Sequence, residues 1–336
     1  MSKKALITGI TGQDGAYLSQ LLLNKGYKVY GTARRSASEK FWRLEYLGIK
    51  DQIELIDFDL LEITNIQKVI KDIEPDEVYN LAAQSFVPTS FELPILTTDI
   101  NSLGALRILD SILSTNSNIK FYQASTSEMF GKVQEVPQTE LTRFYPRSPY
   151  GVSKLYSHYI TLNYRESYDL FACSGILFNH ESPLRGNEFV TKKITSSLAA
   201  IKKGQLDVLM IGNVDAKRDW GFAGDYVEAM WMMLNAETPN DYVISTGENH
   251  TVREFIDISL KILNFKTEWI GDGVDAELIN IDTGKPIIKV DPKFFRPAEV
   301  DELLGSSSLA LKEIGWKPKV AFDQLIEMMI EFDLNN

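Results

Sequence analysis

The chain has 336 residues and a formal net charge of −11, with 35 Lys and Arg against 46 Asp and Glu. That length can bury a sizeable core and exceeds one minimal domain, while the charge argues against nucleic acid or an anionic membrane surface as partner. The one cysteine, Cys173, lies in the apolar run Phe171–Phe178; with no disulfide framework, no Cys/His metal cluster and no apolar run near ~20 residues, the composition suits a reducing cytoplasm, no metal and no membrane span.

The first element is a short apolar run from Ala5, followed by Thr8-Gly9-Ile10-Thr11-Gly12-Gln13-Asp14-Gly15 and the amphipathic stretch Tyr17–Lys25. This predicts strand, tight turn and helix. Glycines at G-x-x-G-x-x-G spacing let the backbone approach a pyrophosphate, with the helix N-terminus aimed at its charge. Gly9 and Gly12 also break the N-terminal apolar stretch, which therefore does not read as a signal peptide. Tyr27–Ala33 predicts a second strand with Arg34, Arg35 and Ser36 at its end. A dinucleotide fold reads the adenosine ribose there, and arginine in place of an acidic residue accommodates a 2′-phosphate. The cofactor expected from these residues is NADP.

Further along, Ile53–Phe58 predicts a strand, Thr64–Ile73 a helix and Glu77–Leu81 a strand that ends in Asn80-Leu81-Ala82-Ala83-Gln84-Ser85. Helical spacing continues over Asn101–Thr115, and Lys120–Ser125 predicts the next strand. That strand ends in Ser125-Thr126-Ser127-Glu128, where a hydroxyl and a carboxylate two residues apart can face one ligand or simply cap a helix. In SPYGVSKLYSHY, Tyr150 and Lys154 sit one helical turn apart and leave the same face. An ammonium beside a phenol favours phenolate and lowers a pKa that starts near ~10, giving a base for a sugar or alcohol hydroxyl.

Phe171–Phe178 is the next strand, and Asn179-His180-Glu181-Ser182-Pro183-Leu184-Arg185-Gly186 closes it. His180 falls near the expected nicotinamide, without a proton-transfer role. Strands alternating with helices predict an α/β, Rossmann-like, doubly wound parallel sheet. Beyond about residue 180 the pattern loosens into helix-like stretches at 189–203, 226–234, 253–263 and 322–332. The expected division is an NADP-binding domain over 1–178, with segments near 207–246 returning to it, and a smaller, mostly helical substrate-binding domain over 179–336. Its cleft faces the carboxyl ends of the strands.

Taken together, TGITGQDG, YGTARRS, NLAAQS, QASTSE, SPYGVSK, FNHESP, FVTKKI, DAKRDWG and FRPAEVD occur in the order seen in GDP-mannose 4,6-dehydratases, which the chain resembles from Lys3 to about Trp316. These are extended short-chain dehydrogenase/reductases acting on nucleotide sugars, and the resemblance implies a hydro-lyase on a GDP-sugar. It implies that Tyr150, assisted by Lys154, takes the C4 hydroxyl proton, that Thr126 hydrogen-bonds that hydroxyl, and that Glu128 removes the C5 proton. Expected cofactor contacts are Gly9, Thr11, Gly12, Gln13, Asp14, Gly15, Arg34, Arg35, Ser36, Asp59, Leu60, Leu81, Ala82, Ala83, Tyr150, Lys154, His180 and Arg185. Expected substrate contacts are Ser85, Glu128, Asn179, Val190, Lys193, Arg218, Arg296 and Glu299.

The chain departs from the family patterns NLAAQSHV, HESPRRG and WGHARDYV at Phe86, Leu184, Phe222 and Gly224, and it lacks a tyrosine often found near Leu96. GDP-manno-heptose is accordingly an alternative to GDP-mannose, and a nucleotide-sugar epimerase or reductase is an alternative activity on the same fold. In the family, the segment matching Ser36–Leu47 reaches a neighbouring subunit's cofactor site, which implies a homotetramer or homodimer.

Overall fold

The computed structural model describes residues 2–37, 40–295 and 303–336. Seven parallel strands form the main sheet, in the spatial order Tyr242–Ile244, Ala172–Leu177, Lys120–Thr126, Glu77–Asn80, Lys4–Thr8, Lys28–Ala33 and Glu54–Asp57. Except in the edge strand Glu54–Asp57, their apolar runs are almost wholly buried, as expected of a sheet covered on both faces. On one face the helix Gln13–Asn24 packs through Ala16, Leu18 and Leu22 against Ala223–Leu234. On the other, Ile66, Val69, Ile70 and Ile73 meet Ile108, Leu109 and Ile112, with Tyr164 of the long helix Pro149–Tyr168 beside them.

Strand order reverses between Lys4–Thr8, which continues outward to Lys28–Ala33, and Glu77–Asn80, which continues the other way. A crevice opens at that switch point beyond the strands' carboxyl ends. A buried polar ladder crosses it. Thr8 Oγ1 donates to Asn80 Oδ1 at 2.8 Å and accepts from the Leu81 and Ala82 amides at 3.0 Å, while Asn80 Nδ2 donates to Gln123 Oε1 at 2.8 Å. Satisfied in this way, the ladder fixes the loop after Asn80 against the glycine turn.

A second core gathers the helices Val190–Lys202, Val252–Ile262 and Phe322–Asn335. Beside its helices this body carries a four-stranded sheet, Thr267–Ile270, Glu277–Asn280, Lys285–Val290 and Leu209–Ile211, that the periodicity of the sequence does not reveal. Its strands are three to six residues long and part-exposed, too short for an alternation to register. The chain leaves this body at Ala223–Leu234 and Tyr242–Ile244 to complete the main sheet, then returns. Among the described residues no helix is long and apolar enough to cross a membrane.

Candidate active site

The glycine turn is built by close approach. Gly9 has φ +73°, and a Cβ there would lie 2.8 Å from the Ala82 amide nitrogen; at Gly15 a Cβ would lie 2.5 Å from Gly9 O and 2.7 Å from Ile10 Cα. Every one of those neighbours is backbone, so any larger residue must open the turn. No side chain caps the first turn of Gln13–Asn24, which leaves its amide donors open to an anion. The turn therefore fits a dinucleotide pyrophosphate. Asp14 in that first turn is held by His180, whose Nε2 lies 2.9 Å from Asp14 Oδ2 while its Nδ1 meets Phe178 O at 2.7 Å. Burial works against charge on both groups, yet their mutual attraction prevails, holding the Asp14 carboxyl below and the His180 imidazole above its ordinary value.

Ser148 and Pro149 start the helix that carries Tyr150. The Ser148 hydroxyl accepts from the Gly151 amide at 3.0 Å, and proline occupies a first-turn position that needs no donor. Gly151 is required for packing as well, since a Cβ there would lie 2.8 Å from Glu128 O. The helix is thus pressed against the Ser127–Met129 turn, which brings Tyr150 and Glu128 onto one wall. Thr126 caps that turn, accepting from the Glu128 amide at 3.2 Å, and its hydroxyl also acts on the Tyr150 phenol.

The expectation that Lys154 lowers the Tyr150 phenol needs correction. Burial pushes Tyr150 up to about 12, with the Glu128 charge adding to the rise and the Thr126 hydroxyl opposing it. Lys154 Nζ instead donates to Ala124 O at 2.8 Å. Desolvation of two groups on one buried wall outweighs what their sequence spacing promises.

Burial also draws the Lys154 ammonium from 10.5 down to about 8. Between those values the folded protein holds fewer protons on this group than the unfolded chain, so it makes stability rise with pH across that window. Tyr150 acts in the opposite sense only above its ordinary value of 10. Lys154→Met should flatten the rise in melting temperature between pH 8 and 10, and an unchanged profile would contradict this assignment.

One continuous cleft of about 1010 Å³ gathers most of the residues singled out from the sequence. Its walls include Thr126, Glu128, Tyr150 and Lys154; Gly9, Thr11, Gly12, Gln13, Asp14, Gly15, Arg34, Asp59, Leu60, Leu81, Ala82, Ala83, His180 and Arg185; and Ser85, Asn179, Val190, Lys193 and Arg218. Arg35 lies instead on an adjoining hollow with Arg34, Lys40, Asp57 and Asp59, and Ser36 lines neither. Arg296 and Glu299 fall outside the described residues. Lys193 Nζ donates to Met210 O at 2.7 Å and sits 3.9 Å from the Phe294 ring centre, and burial lowers its pKa. Arg218 is buried and donates to Lys217 O at 2.7 Å.

The departures from the family pattern have local explanations. The Phe222 ring fills the space that a side chain at 224 would need, since a Cβ on Gly224 would lie 2.3 Å from Phe222 Cε1. Phe222 also packs edge-on against Tyr17 of the helix that follows the glycine turn. Leu184 is fully buried, and its carbonyl accepts from Arg43 Nε at 2.6 Å. Phe86 meets Phe189 inside the cleft, and Leu96 lines it.

Sequence reasoning missed three contributors. Arg43, read as part of a segment reaching another subunit, turns back onto its own chain, where Nη1 donates to Thr11 O at 2.8 Å. Asn101 sits in a π-turn at Asp99–Leu103, accepts from the Gln84 amide at 2.9 Å and donates to Ser153 Oγ at 3.0 Å. It thereby ties the loop after Asn80 to the Tyr150 helix. Phe189, read only as the first residue of the helix-like stretch 189–203, immediately precedes the helix Val190–Lys202 and lines the cleft.

Comparison with known proteins adds a separate line of support. Residues 6–329 match the family model described as GDP-mannose 4,6 dehydratase. The GDP-mannose 4,6-dehydratase of Vibrio cholerae serotype O1 is 50% identical, covering 99% of this chain and 94% of its own length. The GDP-mannose 4,6 dehydratase of Homo sapiens is likewise 50% identical, covering 98% and 91%. Among solved structures, dTDP-glucose 4,6-dehydratase from Bacillus anthracis in complex with NAD gives a TM-score of 0.82 at 20% identity, covering 100% of this chain and 97% of that one. RMD from Pseudomonas aeruginosa complexed with NADPH gives 0.76 at 23% identity, covering all of both chains. At such identities these structures speak for the fold.

Proposed function

This chain belongs to the GDP-mannose 4,6-dehydratase family, and we propose that it converts GDP-mannose to GDP-4-keto-6-deoxymannose and water, holding NADP as a recycled catalyst. The observation that carries this reading is Glu128 on one wall with Tyr150, Thr126 and Lys154, beside a turn shaped for a pyrophosphate. A C4 epimerase needs no base at C5; a dehydratase does.

In this reading Tyr150 takes the C4 hydroxyl proton, with Thr126 orienting that hydroxyl. The turn Gly9–Gly15 would hold NADP, which when bound would supply the hydride acceptor for C4, the hydride donor for C6 and a positive charge favouring the Tyr150 phenolate. The new C4 ketone acidifies the C5 hydrogen, which Glu128 removes as the C6 hydroxyl departs. Two protons are gathered, one by Tyr150 and one by Glu128. Two are spent, one on the departing hydroxyl and one on C5. Arg218 and Lys193 line the cleft, and in this reading they meet the diphosphate, which an acidic protein must hold with locally gathered cations.

Incubation with GDP-mannose and, separately, with GDP-manno-heptose tests the substrate. The expected result is a product lighter by one water from GDP-mannose, and no such product would contradict the reading. Assembly into a tetramer belongs to the same proposal, supported by Trp42 and Tyr46, which are 42% and 56% exposed on the segment the family uses for that contact. Light scattering should give a multiple of the chain mass, and a stable monomer at working concentration would refute it.

A further inference from the structure

Two phenylalanines reach across the cleft from opposite bodies. Phe86 follows the strand Glu77–Asn80 and opens the helix Val87–Glu92, whereas Phe189 opens the helix Val190–Lys202 of the second core. Their rings meet edge to face, with centroids 6.1 Å apart and planes at 84°. The Arg185 guanidinium lies 3.6 Å from the Phe189 ring centre, and its Nε is 3.0 Å from Glu181 Oε2. Arg185 in turn acts electrostatically on Tyr150. The aromatic contact thus joins the two walls of the cavity that holds Tyr150 and Glu128.

We infer that the Phe86–Phe189 pair is a strap that keeps bulk water from the dehydrated sugar, an inference that rests on the dehydratase reading. Once water has left across C5 and C6, the ring carries a ketone conjugated to a C5–C6 double bond. C6 is then electrophilic. Hydride addition there leads to product. Water adding its oxygen at C6 and a proton at C5 instead rebuilds the 4-keto sugar that has just lost water. A polar side chain between the walls would hold such a water by hydrogen bonds. Two apolar rings in edge contact give it no partner, and each such contact also resists opening.

The test runs the reaction in ¹⁸O-labelled water and recovers unreacted GDP-mannose. Rehydration of the enone, followed by reversal of the C4 oxidation, places the label at C6. Phe86→Ala should raise ¹⁸O at C6 per product formed by about two- to tenfold over wild type, the ratio set by losing one edge-to-face contact. Phe189→Ala, which removes the other ring, should do the same, and Phe86→Leu, which keeps apolar bulk, should stay near wild type. Dissociation of GDP added as a separate ligand, which reads the nucleotide end of the cleft, should be unchanged in all three. Slower turnover without added label, or faster GDP dissociation in step with it, overturns the strap alone. A wild type that forms no dehydrated product overturns the dehydratase reading and the strap with it.

Discussion

Tyr150→Phe is expected to lower turnover by about 10²–10⁴-fold and to leave the bound cofactor oxidised, whereas Glu128→Gln should lower it comparably and leave the cofactor reduced. The two residues share a wall but, in the proposed reaction, act on different carbons. Without the Tyr150 hydroxyl the C4 proton has no acceptor, and oxidation does not begin. Without the Glu128 carboxylate, oxidation proceeds and the sugar waits at the 4-keto stage. Absorbance of the reduced cofactor separates the two outcomes where residual rates alone would not. In deuterated water the wild type should carry solvent deuterium at C5 of its product, because the proton removed there exchanges through Glu128. Full activity of Glu128→Gln would reduce that carboxylate to a neighbour in a capped turn, since Thr126 already bonds the Glu128 amide whether or not the side chain reacts.

The second large effect concerns cofactor choice. Arg34 and Arg35 are exposed at the end of Lys28–Ala33 and border a hollow that also presents Lys40, Asp57, Asp59 and Glu62. Those three carboxylates would repel a 2′-phosphate, so discrimination in its favour must come from the guanidiniums, which can meet it bidentately. A hydrogen bond to a charged group contributes about 1.5–3 kcal/mol, and exposure to solvent and salt favours the lower end of that range. Arg35→Ala should therefore weaken NADP⁺ binding by roughly tenfold, and Arg34→Ala in combination should weaken it further. NAD⁺, lacking the phosphate, should change little. A wild type without preference between the two cofactors, or equal loss of both, would assign the arginines to ordinary surface charge.

The parts of the fold that follow from short-range rules were legible in the sequence. The turn at Gly9–Gly15 and the alternation of buried strands with amphipathic helices both show in the pattern of neighbouring residues, although Gly9 must also admit the Ala82 backbone. What depends on the three-dimensional environment was not. The i, i+4 spacing of Tyr150 and Lys154 was visible, but spacing says nothing of how deeply both are buried, and burial is what moves both pKa values most. Arg43 was legible only as one basic residue in a mixed segment, because its acceptors on Thr11 and Leu184 lie 32 and 141 residues away. The Phe222–Gly224 exchange looked like two separate losses; it is one substitution of volume, visible only once the ring occupies the missing side chain's place.

An internal oxidation and reduction leaves the cofactor unchanged, and GDP-mannose deuterated at C4 follows the hydride through it. The product should be lighter by one water and carry the label on its C6 methyl group, formed without net consumption of NADP. A product that retains its C6 oxygen, or from which the C4 label has been lost to solvent, would contradict it.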